Sequence, residues 1–217
     1  MLETLELWID EPVRDGFANM AVDDWLLDTV IRPVLRIYAW EPGWGSFGYF
    51  VADAEASEAL PGLRRVRRRT GGGIVDHRHD WTYTLVVPTG EPLADLRGGE
   101  SYRYIHAALA VALEQEGHRA CLAADPGPVK GGECFARPAA HDLLDAGGRK
   151  IAGAGQRRSG RGLLHQGSVA VPLGPEFGKV LAAALSGTPR SFHARPDETG
   201  IRSGAEAFRN PAWAKRR

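Results

Sequence analysis

Three consecutive glycines, Gly71, Gly72 and Gly73, follow a run of basic residues at 67–69, with only Thr70 between them. Because glycine has no Cβ, such a loop can approach a ligand closely and turn successive N–H groups towards an anion or an acyl carbonyl. A second segment, 148–158, places one lysine, Lys150, within a strand of small residues. A lysine held near such a loop could contact a carboxylate, phosphate or thioester oxygen. Together the two segments predict an acyl-transfer site.

Length and composition predict an ordinary folded domain. The 217 residues suffice for one large domain with a sizeable core, and 43% hydrophobic content with six tryptophans excludes a disordered chain. The 27 basic residues balance the 27 acidic ones, so no overall field draws the chain to nucleic acid or to a membrane surface. The apolar runs fall short of the roughly 18 to 20 residues that a membrane helix needs, and the first residues lack a signal-peptide pattern. We therefore expect a cytoplasmic protein.

The hydrophobic pattern predicts strands and helices in mixed order. Helices are expected at 18–30, 102–113 and 177–185. Strands are expected at 34–40, 63–69, 81–87 and 163–171, with a hairpin joining 142–144 to 149–152. Ser101 is expected to cap the second helix and Pro175 to start the third. The order fits an α+β domain with a mixed sheet better than a doubly wound parallel sheet. After Ser186 the pattern fades, which predicts a catalytic domain at 1–186 and a C-terminal extension at 187–217 that is not a separate domain.

The two cysteines differ in their surroundings. Cys121 and Cys134 are too few for a disulfide framework and lack the spacing of metal ligands. Cys121 lies among alanine and leucine, which predicts a small buried side chain. Cys134 lies in a loop-like segment after Lys130, where a thiol can be exposed and its thiolate stabilised by cations.

Several ordered motifs resemble one known superfamily. The segment 68–77 resembles the glycine-loop signature of the lipoate-protein ligases, octanoyltransferases and biotin ligases. Asp142 together with 148–153, followed by 156–158 and 165–168, is similar to the second signature of the lipoate branch. The segments at 19–23, 35–38 and 46–50 resemble the opening helix and strands of that branch. The resemblance covers roughly residues 7–173.

The resemblance implies a fold and a substrate class. It implies a catalytic domain like those of class II aminoacyl-tRNA synthetases and biotin ligases, with a mixed sheet flanked by helices and the acyl chain lying between the glycine loop and the lysine strand. It also implies modification of a lysine on a lipoyl domain or on glycine-cleavage H protein. The residues expected to bind substrate are Arg69, Thr70, Gly71, Gly72, Gly73, His77, Asp142, Gly153 and His165.

The lipoate branch holds two chemistries, and several features favour the transferase. Octanoyltransferases take the acyl group from acyl carrier protein and need no cofactor, whereas ligases activate lipoate with ATP and Mg²⁺. Cys134, followed by Phe135 and Pro138, resembles the nucleophile segment of cysteine-dependent octanoyltransferases. His141-Asp142 replaces the Asn-Asp pair of ligases, and Trp81-Thr82-Tyr83 resembles the Leu-Thr-Tyr of transferases. The sequence also leaves little room after the matched segment for the accessory domain that ligases generally use.

Other interpretations stay open at this point. Gly73 favours a ligase, because the transferases often have arginine there, and separate accessory subunits exist for short ligases. In a ligase, Lys150 would hold the acid carboxylate and the adenylate phosphate, and the glycine loop would cradle the phosphate. A non-catalytic lipoyl- or acyl-binding protein is disfavoured by the presence of both Lys150 and Cys134. Biotin ligation is disfavoured because a Gly-Arg-Gly-Arg-x-Gly loop is missing from the glycine segment.

In the transferase hypothesis, Cys134 and Lys150 are the catalytic residues. The Cys134 thiolate would attack the thioester of octanoyl-acyl carrier protein, and the target lysine would then attack the acyl-enzyme. Lys150 would stabilise the thiolate and the oxyanion, with N–H groups of the glycine loop as further donors. His77 and His165 are weaker candidates for proton carriers, and His165 is expected to face the pocket or solvent. The spacing of residues 77–80 matches no standard metal site and predicts solvated loop side chains.

Arginines cluster at 64–69 and at positions 157, 158 and 161. They could steer acidic partners such as acyl carrier protein and lipoyl domains, with a solvated strand face as the alternative for most of them. Zero net charge and the lack of aromatic residues within the run at 64–69 disfavour a nucleic-acid partner.

Overall fold

A computed structural model describes residues 2–96, 99–124 and 138–216 of the chain. The strands are β1 (Leu5–Arg14), β2 (Val34–Trp40), β3 (Trp44–Phe47), β4 (Arg64–Arg67), β5 (Ile74–Asp76), β6 (Trp81–Pro88), β7 (Cys121–Leu122), β8 (Leu143–Leu144), β9 (Lys150–Ser159), β10 (Gly162–Val169) and β11 (Pro189–Ser191). The helices are α1 (Gly16–Thr29), α2 (Asp53–Ala59), α3 (Pro92–Asp95), α4 (Gly99–Gln115), α5 (Phe177–Leu185), α6 (Glu198–Arg209) and α7 (Pro211–Ala214). No helix within these ranges combines the length and the apolar character that crossing a membrane requires.

Eight strands form one mixed sheet in the order β11-β1-β2-β6-β10-β9-β8-β7. β1 runs parallel to both of its neighbours, whereas the pairs from β2 to β7 are antiparallel. A second, small sheet has the order β4-β3-β5 and carries the basic strand that leads into the glycine loop. The α+β architecture with a mixed sheet, predicted from the sequence, is confirmed.

Helices cover both faces of the large sheet because neighbouring residues of its central strands point to opposite sides. On β2, Leu35 packs into the cluster formed with α4 and α5, whereas Val34 packs into the cluster formed with α1 and α6. Leu163 and Leu164 of β10 divide in the same way. Each such buried aliphatic side chain contributes about 1.5–3 kcal/mol of transfer free energy. The strands β6, β9 and β10 are thereby held at the centre of the molecule, where the site lies.

Most of the predicted elements are present. The expected helices correspond to α1, α4 and α5, the expected strands to β2, β4, β6 and β10, and the expected hairpin to β8 and β9. The capping role expected of Ser101 is wrong, because α4 begins at Gly99 and the Ser101 hydroxyl instead donates to Gln156 at 3.0 Å. α5 begins at Phe177, two residues after Pro175.

The segment after Ser186 contains a helix that the sequence pattern did not predict. α6 presents Ile201, Ala205 and Phe208 to the core on the side of α1, at spacings of four and three residues. The Asp197 carboxylate caps this helix by accepting from the Gly200 N–H at 2.7 Å. The apolar stripe was missed because only three apolar positions stand in a polar, glycine-containing background. The domain boundary at 186/187 stays a prediction.

Cys121 lies at the outer edge of the large sheet, on the two-residue strand β7. Its side chain is exposed, so the predicted burial is wrong. The physical reason is its position, because an edge strand has no neighbouring strand to cover it.

Candidate functional site

The glycine loop lies against strand β9, and glycines on both sides make the approach possible. The Gly71 N–H donates to the Gln156 carbonyl at 3.2 Å. A Cβ on Gly155 would stand 2.2 Å from the Gly71 carbonyl oxygen, and one on Gly48 would stand 2.0 Å from the Gly72 carbonyl oxygen. Gly72 itself has a φ of +88°, in the left-handed region that favours glycine. The loop is therefore clamped between residue 48 and β9, and the Gly71 N–H is already used within the protein.

Arg68 holds the loop from the interior. Its buried guanidinium donates to the Gly73 carbonyl at 2.9 Å, to the Gly71 carbonyl at 3.3 Å and to the Ser46 hydroxyl at 2.6 Å. Burial lowers the pKa of Arg68 to about 10, which still leaves the group charged at neutral pH. The conformation of the loop is thus fixed by a buried cation.

His77 lies in the interior beneath the loop. Its ring stacks on Trp40 with centroids 3.8 Å apart, its Nε2 is 2.7 Å from the Ser46 hydroxyl and its Nδ1 is 2.8 Å from an Asp80 carboxylate oxygen. Because Ser46 accepts from Arg68, it donates to Nε2, and Nδ1–H then donates to Asp80. Burial lowers the pKa of His77. The predicted solvated side chains are wrong for both His77 and Asp80, because the strands carrying Trp40 and Ser46 enclose them.

Thr70 connects the loop to a buried charged network. Its hydroxyl donates to Gln166 Oε1 at 2.7 Å, and Gln166 Nε2 donates to the Asp23 carboxylate at 2.6 Å. Asp23 also pairs with Arg36 at 2.7 Å. Burial raises the pKa of Asp23, and the positive charge of Arg36 opposes that change. The side chain of Thr70 therefore serves the packing of the loop in this structure.

Lys150 stands at the start of β9, where a β-bulge directs its side chain over Gly153. Leu143 and Leu144 of β8 are consecutive, but their partners on β9 are Ala152 and Lys150, so β9 contains one extra residue at this point. Lys150 Nζ lies 2.7 Å from Asp142 Oδ2, and a Cβ on Gly153 would stand 2.6 Å from Nζ. The lysine side chain is 47% exposed, whereas the Asp142 side chain is 1% exposed. Lys150 is thus an accessible cation that pairs with a buried carboxylate.

Asp142 is fixed by two further donors. Its Oδ1 accepts from the Tyr102 hydroxyl at 2.6 Å, and its Oδ2 accepts from the Ala139 N–H at 2.7 Å. The Tyr102 hydroxyl in turn accepts from the Ala154 N–H at 2.7 Å. Burial and the nearby Asp142 charge raise the pKa of Tyr102, which keeps it a donor. The sequence did not predict Tyr102 as a site residue, because the hydrophobic pattern placed it only among the apolar positions of a helix.

His165 lies in the core, on β10. Its Nε2 is 3.0 Å from the Tyr83 hydroxyl and its Nδ1 is 2.9 Å from Gln156 Nε2. The side chain is fully buried, and burial lowers its pKa well below the usual value. The expectation that His165 faces the pocket or solvent is therefore wrong. Like His77, it has both ring nitrogens engaged inside the protein.

Two predicted residues remain to be placed, Arg69 and Cys134. Arg69 pairs with Asp24 at 2.6 Å and lines a cavity of about 370 Å³ with Gly71 and Arg157. Cys134, the predicted nucleophile, lies outside the described residues. Among the described residues, no group of three or more His, Cys, Asp or Glu side chains could hold a metal ion. The structure thus separates a lysine end of β9 from a loop end, which includes Arg69.

Curated relatives identify a family. Residues 15–199 match the model of the lipoyl protein ligase A/B catalytic domain. Octanoyltransferase LipM of Moorella thermoacetica is 36% identical over 188 residues, which cover 77% of this chain and 66% of the relative. Octanoyltransferase LipM of Staphylococcus aureus is 33% identical over 182 residues, which cover 76% of this chain and 66% of the relative. The chain thus spans slightly less than two thirds of the length of these relatives.

Solved structures share the fold at low sequence identity. Ta0514 of T. acidophilum, a putative lipoate protein ligase with bound lipoic acid, has a TM-score of 0.73 and 18% identity over 99% of both chains. A lipoate-protein ligase A bound with ATP has a TM-score of 0.72 and 19% identity over 99% of both chains. These likenesses show a common fold, and the family match extends over most of the chain. The chain belongs to the lipoyl protein ligase A/B catalytic domain family.

Proposed function

We propose that this chain is an octanoyltransferase of protein lipoylation. It moves an octanoyl group from acyl carrier protein, through a thioester on Cys134, to a lysine of a lipoyl domain or of glycine-cleavage H protein. The observation that carries the proposal is the 36% and 33% identity to proteins named octanoyltransferase LipM. The resemblance of Cys134, Phe135 and Pro138 to the nucleophile segment of cysteine-dependent octanoyltransferases supports it. This chemistry needs no cofactor.

The reaction consists of two acyl exchanges. The Cys134 sulfur attacks the carbonyl carbon of the donor thioester, a new carbon–sulfur bond forms, and the carrier thiol leaves with one proton. The amine of the acceptor lysine then attacks the Cys134 thioester. An amide forms, and the Cys134 thiol is released with a proton from the amine. No oxidant and no nucleotide is consumed in either exchange.

Lys150 supplies positive charge to both exchanges. Its ammonium group has three N–H donors, and the contact of 2.7 Å to Asp142 uses one of them. The half-exposed side chain presents the others towards solvent, where a carbonyl oxygen that becomes negative could accept them. Because Asp142 is itself held by Tyr102 and Ala139, the ammonium is positioned before the substrate arrives. Lys150 is therefore the proposed oxyanion stabiliser.

Lipoate ligation with ATP and Mg²⁺ is the second candidate, and Gly73 is the residue that favours it. In that chemistry Lys150 would hold the acid carboxylate and the adenylate phosphate. The same lysine and glycine loop would serve both reactions, so only the acyl donor separates them.

The donor is tested by intact-mass spectrometry of the protein after incubation with octanoyl-acyl carrier protein in the absence of ATP. We expect an octanoyl adduct on the wild type and none on Cys134→Ala. Cys121→Ala is the matched control, since it removes the exposed thiol on β7 and is expected to retain the adduct.

Two results would contradict the transferase. Modification of a lipoyl domain from free lipoate and ATP, without a Cys134 adduct, would establish the ligase instead. Absence of both activities would favour a non-catalytic lipoyl- or acyl-binding protein.

A further inference from the structure

A cavity of about 370 Å³ lies beside the glycine loop, at the end of β9 that is remote from Lys150. Arginine and aromatic side chains dominate its lining: Arg69, Arg157, Arg216, Tyr49, Phe50 and Trp213. Its volume falls within the range of small-molecule sites, about 300–1,000 Å³. Guanidinium groups beside aromatic rings suit a ligand that contains both an anionic group, such as a phosphate, and an uncharged segment.

The positive charge of the cavity is only partly neutralised. Arg69 pairs with Asp24 at 2.6 Å. Within residues 2–96, 99–124 and 138–216, no carboxylate lies within ion-pair distance of Arg157 or Arg216. The Arg216 guanidinium lies over the Tyr49 ring, 4.9 Å from its centroid. The cavity therefore carries an excess of positive charge, although the chain as a whole has none.

The wall that α7 supplies is held in place by Arg67. The Arg67 guanidinium donates to the backbone carbonyls of Tyr49 and Val51 at 2.7 Å each and to that of Ala214 at 2.8 Å. The indole N–H of Trp213 donates back to the Arg67 carbonyl at 3.0 Å. A buried cation thus joins the segment after Gly48 to α7, so that both walls of the cavity are positioned without a ligand.

The cavity and Lys150 lie at the two ends of one strand. Gly153, Gly155 and Arg157 alternate along β9 and share a face, and the Lys150 side chain lies over Gly153. Lys150 and Arg157 are seven residues apart in this extended strand, which places their Cα atoms roughly 20 Å apart. The glycine loop covers the Gly155 position between the two ends, so only a long ligand that passes over the loop could contact both. A pantetheine arm is linear, with a thioester at one end and a phosphodiester at the other.

We propose that this cavity binds the phosphate of the phosphopantetheine arm that carries the donor thioester, with Arg157 and Arg216 as the ligands of the anion. Arginine binds phosphate through charge-assisted, often bidentate hydrogen bonds. The inference rests on the proposed transferase function, and it adds recognition of the carrier arm to recognition of the acyl group.

Two small donors that differ only in the phosphate test this site: S-octanoyl-4′-phosphopantetheine and S-octanoyl-pantetheine. Intact-mass spectrometry measures the rate of acylation of the whole chain by each. We expect the wild type to prefer the phosphorylated donor by at least about tenfold, as for a charge-assisted contact. Arg157→Gln and Arg216→Gln are each expected to remove most of this preference without slowing the unphosphorylated donor. Arg161→Gln is the matched control, because its exposed side chain lies outside the cavity and its loss removes the same charge.

Several outcomes would overturn the proposal while octanoyl transfer itself stands. One is equal use of both donors by the wild type, and another is equal slowing of both donors by Arg157→Gln. A third is an effect of Arg157→Gln that occurs with intact carrier protein and not with the small donors, which would assign the arginines to protein–protein contact.

A binding measurement separates the cavity from the proposed function. Isothermal titration uses unacylated 4′-phosphopantetheine and pantetheine, and it requires no turnover. Binding that needs both the phosphate and Arg157 supports the cavity even if no thioester donor acylates the protein. Absence of binding to the wild type overturns it.

Discussion

Two glycines lie two residues apart on the same face of β9, yet an added methyl group would meet different obstacles at each. At Gly155 the Cβ would stand 2.2 Å from the Gly71 carbonyl oxygen and 2.9 Å from the Thr70 hydroxyl. At Gly153 it would stand 2.5 Å from Lys150 Cε, 2.6 Å from Nζ and 3.1 Å from Asp142 Oδ1. The backbone of a clamped loop cannot yield, whereas the end of a lysine side chain can.

The two ends of the candidate site are therefore held in different ways. Backbone packing holds the glycine loop, whereas a single side-chain contact holds Lys150. At the loop end, Arg68, Thr70 and the Gly71 N–H all direct their hydrogen bonds into the protein. At the lysine end, a half-exposed Lys150 depends on one contact with Asp142. Substitutions at the loop end should therefore cost stability, and a substitution that only displaces the Lys150 side chain should mainly cost reactivity.

Gly155→Ala should give the largest loss of stability. Because the new methyl group would overlap the Gly71 carbonyl, either the loop or β9 must move, and we expect the free energy of unfolding to fall by about 3–4 kcal/mol. Urea denaturation followed by circular dichroism measures the change. Gly160→Ala is the control, since nothing lies within 4 Å of its Cβ position, and it should change stability by less than about 1 kcal/mol. Equal free energies of unfolding for Gly155→Ala and the wild type would show that the loop is not clamped against β9.

Low pH should weaken the support beneath the lysine end. His106 of α4 is buried, and its Nδ1 lies 2.8 Å from the His141 carbonyl oxygen, next to Asp142. Burial lowers the pKa of His106 to about 4, against about 6.5 in the unfolded chain. Between these values only the unfolded state takes up the proton, so stability falls as the pH falls through this window. The loss should reach about 3 kcal/mol at pH 4.

Urea denaturation of the wild type and of His106→Gln between pH 7 and pH 4 tests this prediction. The variant should have the flatter pH dependence, although His77 and His165, whose pKa values are also lowered, leave part of the slope in place. His193→Gln removes an exposed histidine and should leave the slope unchanged. Identical slopes for His106→Gln and wild type would contradict the assignment.

Asp142→Asn should lower stability by about 2 kcal/mol. The substitution weakens the charge-assisted bonds from Lys150 and Tyr102 and the bond from the Ala139 N–H, all to a buried group. Octanoyl transfer should also slow, because Nζ loses its anchor. Thermal unfolding and the rate of acylation measure the two effects. Asp28→Asn is the matched control, because its side chain is 61% exposed, and it should leave both quantities near the wild-type values. A loss of similar size in Asp28→Asn would show that the effects are not specific to Asp142.

The fold was largely predictable because hydrophobic periodicity reports which face of an element is covered. α5 and β2 were predicted with their observed bounds because their apolar positions recur regularly. The bulge at Lys150 was not predictable, since an irregular step in a strand of small residues leaves no periodic trace. That bulge nevertheless decides where the Lys150 side chain points.

The candidate site residues were predicted from motifs, whereas the contacts around them were not predicted. The burial of His77 depends on Trp40, and the role of Tyr102 depends on Ala154, which lies 52 positions further along the chain. Such contacts arise only when separate elements pack together. Motifs therefore predict Lys150 and the glycine loop as site residues, but they do not show which polar groups are already hydrogen-bonded within the protein.

Gly153→Ala should have the smallest effect on stability and should act on the reaction instead. The new methyl group displaces the Lys150 side chain, so we expect octanoyl transfer to slow about tenfold, or about 1.4 kcal/mol. The free energy of unfolding should fall by only about 1 kcal/mol, because Asp142 loses the Lys150 contact but keeps its bonds from Tyr102 and Ala139. A double-mutant cycle with Lys150→Gln tests the cause. If the methyl group acts by displacing the ammonium, Gly153→Ala should slow the Lys150→Gln protein no further. A second tenfold loss in that background would mean that residue 153 acts on the substrate directly, and the contrast between the two glycines would then concern space for the acyl chain.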